Sequence, residues 1–196
     1  DRTGGAQAVP FYLKHADGRL PAPEFHAADP FNLLHALCGL IVATQKPIAP
    51  RLAETISEME RALKVTLDWT NVLIHTQSDS LSAYQVLHDA WRNQYHQHYD
   101  QLLRRYLQMQ LSLALFPFAG LGANLTERIT IIGVRFATIR LALITSSGMV
   151  GGVIPQEIVV RIVQSLSRFL DHLGDPSFSM QIYAETGWNR ETRMRG

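Results

Sequence analysis

The run from Ile129 to Thr145 is the longest apolar stretch of the chain, and it constrains the fold more than any other feature. Advancing about 100° per residue, Ile132, Phe136, Ile139 and Leu143 fall on one face, and Val134, Leu141 and Ile144 make most of the remaining surface apolar too. A helix that is greasy on most sides must be enclosed by other elements. Arg135 reads as an exit to solvent. Arg140, at the edge of the apolar face, either snorkels out or meets a buried partner. The fold class that follows is all-α: an irregular helical bundle around a central apolar helix at about 129–145.

With 196 residues the chain is long enough to bury a sizeable core without covalent staples. Its 18 Lys and Arg against 17 Asp and Glu leave a formal charge of +1, so no global field draws it to nucleic acid or to an acidic membrane, and neither is expected as a partner. The single cysteine, Cys38, lies in an apolar run and reads as a small buried hydrophobe. One cysteine excludes an intrachain disulfide and cannot build a zinc-thiolate or iron–sulfur site, and a cytoplasmic setting is favoured. The chain opens Asp1-Arg-Thr-Gly-Gly, without Met and without a signal pattern, and reads as a fragment or a processed product. A membrane span over Ile129 to Ile154 is disfavoured because Arg135 and Arg140 interrupt it, at roughly 2.5–3.5 kcal/mol each on insertion scales.

Taken in order, residues 1–28 carry prolines and glycines without sustained period and read as an extended arm. Residues 29–186 form a single helical domain, and 187–196 a charged tail. Asp29-Pro30 starts a first helix running to Thr44. Arg51 to Val65 forms an amphipathic second helix, with Leu52, Ile56, Met59 and Leu63 inward and Glu54, Glu58 and Glu60 on a solvated face. Leu67 to Ile74 is ambiguous between a short helix and irregular chain. From Leu81 to about Leu115 nothing breaks the pattern, which exceeds the usual helix length, so an interruption near Gln94 to Gln101 is expected. Asn124 supplies a cap before the central helix, glycines at 148–152 turn the chain, and Pro155 opens a last major helix ending before Gly174. A short helical piece from Ser177 to Thr186 follows.

Few constellations carry chemistry. The glycines of Phe118-Ala-Gly-Leu-Gly-Ala-Asn124 form the closest match to a nucleotide loop, but the run before them reads helical and no acid stands about 20 residues on, so an interhelical turn is the better reading. His96 and His98 diverge by about 200° on one helix, which is poor metal geometry, and no metal site is expected. Trp91, Tyr95 and Tyr99 read as packing. On the last helix, Arg161, Gln164, Arg168, Asp171 and His172 share a polar face, either a solvated surface or the lining of a groove that faces the central helix, where Arg140 adds a fixed charge.

Two segments, Gly133-Val-Arg-Phe-Ala-Thr-Ile-Arg-Leu-Ala-Leu143 and Val159-Val-Arg-Ile-Val-Gln-Ser-Leu-Ser-Arg-Phe-Leu-Asp-His172, resemble the C-terminal helical half of the bacterial flagellin lysine-N-methylase family. The resemblance extends over residues 46 to 175, through Pro47-x-x-Pro-Arg-Leu52 and the Leu115-Phe-Pro117 break. It implies methyl transfer from S-adenosylmethionine to lysine ε-amines of flagellin. It also implies a cysteine-rich N-terminal part with an iron–sulfur cluster, which this sequence lacks, so the missing N-terminal portion of the same protein is an expected partner alongside flagellin or another protein substrate. Within this chain the candidate binding residues are Arg140, Arg168, Asp171 and His172. Tyr99, Tyr106 and Asp171 are residues that would help to deprotonate a lysine, and spacing selects none of them as catalytic. The alternative from another class is a non-enzymatic helical ligand-binding or dimerisation module of a regulator.

Overall fold

The computed structural model describes residues 30–113, 124–173 and 176–185, all within one compact unit, Asp29–Asn189. The expected N-terminal arm, the glycine-rich turn at Phe118 and the charged tail lie outside the described residues. Helix α1 (Pro30–Thr44) buries Leu33, Leu34, Leu37, Cys38 and Ile41. Helix α2 (Pro50–Leu63) starts at Pro50 and packs inward through Leu52, Ile56, Met59 and Leu63, the stripe its periodicity predicts. Its end comes two residues early because Lys64 turns into the left-handed region (φ 53°), and Val65 belongs to the next element.

That element is a hairpin, β1 (Val65–Asp68) and β2 (Leu73–Thr76), antiparallel with Val65 opposite Thr76 and Leu67 opposite Ile74. It replaces the short helix or irregular chain expected over Leu67 to Ile74. Val65 and Leu67 are buried while Thr66 is exposed, the two-residue alternation of a half-buried strand. The Asp68 carboxylate closes the turn, accepting the N–H groups of Thr70 and Asn71 and the Asn71 side-chain amide. The described chain remains mostly helical around this small sheet.

Helix α3 (Ser80–Ala90) and helix α4 (His96–Leu113) are joined without a loop by a π-helical turn at Trp91–Tyr95. This is the expected interruption, placed a few residues early. Side chains eight apart diverge by about 80° on an unbroken α-helix. The extra residue of the π turn rotates Trp91 and Tyr99 onto one face, where their rings stack at 4.8 Å and 11°. The Tyr99 hydroxyl then accepts the Ile154 N–H at 2.6 Å, so these aromatics serve packing.

Helix α5 (Leu125–Val150) is the central element and runs longer than its apolar stretch in both directions. Asn124 caps it, accepting the Glu127 N–H at 2.9 Å. Gly151, at φ 68°, ends it, and the N–H groups of Gly151 and Gly152 return to the carbonyls of Gly148 and Ser147. Gly148 stays inside the helix because α3 crosses it closely: a Cβ there would lie 1.8 Å from Leu87 Cδ2. Among the described residues α5 alone is long and apolar enough to cross a membrane, and 72% of its most apolar window is buried within the protein. It touches every other described helix, including α6 (Gln156–Asp171) and α7 (Pro176–Glu185). Ile132, Ile139 and Leu143 are buried as expected, whereas Phe136 is partly exposed and Ile129 stands at the surface.

Candidate functional site

The polar chemistry of the core collects where α4, α5, α6 and α7 meet. Arg135 of α5 is buried there, its side chain only 7% exposed. Its guanidinium donates to Asp171 Oδ1 at 2.8 Å and to the Leu170 carbonyl at 2.6 Å, so it both pairs with an acid and covers the C-terminal end of α6. Gln110 of α4, buried at 3% exposure, bridges the pair through two long contacts of 3.4 Å, accepting from Arg135 and donating to Asp171. This overturns the expectation that Arg135 exits to solvent. The sequence carried a signal: Arg135 stands three residues after Ile132 and four before Ile139, inside the buried stripe.

Tyr106 and Tyr183 complete the cluster. Burial, with the Asp171 carboxylate adding to it, pushes the Tyr106 phenol up to about 12, against the opposing pull of Ser167 and Arg135. Burial raises Tyr183 further, although Arg135 partly opposes it. Ser167 lies beside the Tyr106 hydroxyl, yet neither oxygen reaches hydrogen-bonding geometry with a described partner, and Arg135 Nε is likewise unpaired among the described residues. At neutral pH both phenols are protonated and Asp171 is held by Arg135. The cluster can orient and hydrogen-bond, but it offers no free base.

The expected groove of Arg140, Arg168, Asp171 and His172 is not assembled. Arg168 and His172 are exposed, with no described hydrogen-bond or ion partner, and Asp171 pairs with Arg135. Arg161, from the same expected polar face, turns instead onto α2, where it pairs with Glu54 and grips both carboxylate oxygens of Glu58 at 2.6 and 2.7 Å. Ser146 of α5 donates to the same Glu58 at 3.3 Å. The supposedly solvated face of α2 is thus partly an interhelical ion pair, with Arg161 and Glu58 side chains 16% and 17% exposed.

Arg140 lies on the other flank of α5, against α3. Its charge is felt by His88 and Tyr84, and it makes no hydrogen bond or ion pair with any described residue. The Tyr84 and His88 rings pack at 5.6 Å in a tilted arrangement. Burial and the adjacent Arg140 charge hold His88 below its ordinary value, with Asp89 opposing and Arg92 assisting. Burial also lowers Arg140 itself.

No group of three or more His, Cys, Asp or Glu among the described residues could hold a metal ion. Cys38 is fully buried, and burial together with Glu60 and Asp68 pushes its thiol up to about 11.

A family model described as the FliB lysine N-methylase C-terminal domain matches residues 18–189. The chain belongs to this family. The match reaches beyond the 46 to 175 span of the motif resemblance and takes in every helix described above. No curated protein and no solved structure matches the chain. Within this lysine N-methylase C-terminal domain, the two motif segments correspond to the core-facing lengths of α5 and α6. What joins them is the Arg135–Asp171 pair, since Arg140 projects to the opposite flank. Of the arginines in the two segments, Arg135 is clamped to Asp171, Arg161 pairs with Glu54 and Glu58, and Arg140 and Arg168 meet no described partner.

Proposed function

We propose that this chain is the C-terminal helical portion of a protein-lysine N-methyltransferase that methylates lysine side chains of flagellin, using S-adenosylmethionine, in the cytoplasm. The family match over residues 18–189 carries this reading. In it, the helical domain holds the protein substrate or the N-terminal portion of the enzyme.

The described residues do not fit the implied cofactors. An iron–sulfur cluster needs several exposed thiolates, and the sole cysteine is buried with a raised pKa. This chain's own thiol would not hold such a cluster. A dinucleotide-type cradle needs a strand before its glycine loop and a ribose-binding acid after it. Here helix α4 precedes the glycines, and about 20 residues on stand the buried side chains Leu141 to Ile144 of α5.

Methyl transfer to lysine requires the amine to lose its proton and to face the donor. Of the three residues singled out for this step, Tyr99 is bonded to Ile154, Tyr106 is held protonated and Asp171 is paired. The described helices thus suit a positioning role. Mass spectrometry of flagellin from a strain lacking the gene, and from the same strain complemented with it, tests the reading. Loss of lysine methylation on deletion and its return on complementation are expected. Unchanged methylation in the deletion strain would refute it.

A further inference from the structure

We draw no further inference here: the strongest candidate, the cluster of the Tyr106 and Ser167 hydroxyls and Arg135 Nε where α4, α5 and α6 meet, polar atoms that are buried and bonded to no described partner, belongs to the site already described.

Discussion

Removing the acid from the Arg135 clamp is the sharpest test of how α5 and α6 are joined. Asp171→Ala deletes the 2.8 Å charged hydrogen bond and leaves a guanidinium that is only 7% exposed. Breaking a fully buried ion pair in this way costs about 3–5 kcal/mol. Two features reduce that figure here. The Asp171 side chain is 32% exposed, so part of its attraction is already screened by water. Arg135 also keeps the Leu170 carbonyl at 2.6 Å. The expected loss is therefore about 2 kcal/mol, close to that of one hydrogen bond to a charged group. For a domain of this size it lowers the melting temperature by about 4–8 °C. Arg135→Met should cost somewhat less, since the acid it strands can reach water, and the double variant should fall short of the sum by about 1–2 kcal/mol. Urea unfolding of the four proteins at one pH supplies all the terms. An Asp171→Ala loss under about 0.5 kcal/mol, or strict additivity in the double variant, would show that the clamp contributes nothing to the α5–α6 contact.

Two further outcomes follow from buried titratable groups. His88 has a folded-state pKa below its ordinary value, because burial and Arg140 disfavour its charged form; the unfolded chain therefore binds more protons as pH falls through about 6.5 and below, and stability declines over that window. Melting curves from pH 7.5 to 5.5 should show a decline that is flatter in His88→Gln and partly relieved in Arg140→Met, whereas identical slopes in all three would reject the assignment. Cys38, buried with its thiol raised to about 11, should react with a thiol reagent only as fast as the protein opens, so that labelling in native buffer is slow and becomes immediate in denaturant; rapid native labelling would contradict its placement in α1.

The helical frame was legible because period and punctuation agreed. Leu52, Ile56, Met59 and Leu63 repeat on one face and are buried together, and Asn124 caps α5 as its position before the apolar run implies. The hairpin at Val65–Thr76 was harder to read because four-residue strands are too short for alternation to stand out from a helical pattern. Its decisive signal was chemical: Asp68 and Asn71 bracket a side-chain-stabilised turn. The candidate site was only partly legible. Periodicity assigns Asp171 to a polar face, but whether that acid meets Arg135, Arg140 or Arg168 depends on the rotation of α6 about its own axis against α5. That rotation is set by Ile162, Leu166 and Leu170, all fully buried, and it brings Asp171 to Arg135 while turning Arg161 onto α2. No spacing within a single helix contains this information.

The division between the two arginines bears on where catalysis takes place. If the domain carried the reaction by itself, a base would have to stand free near a space that admits lysine. The three side chains singled out for this chemistry are each committed elsewhere: Tyr99 to a backbone N–H, Asp171 to Arg135, Tyr106 to its protonated state by burial. The clamp that consumes Asp171 also fixes the register of α6 on α5, so freeing the acid for catalysis would weaken the helix pair that positions it. An acid with that structural duty is a poor general base. Arg140 makes no such pair with a described residue. The clamp therefore supplies rigidity to the α5–α6 pair, and a base drawn from it would come at the expense of that rigidity.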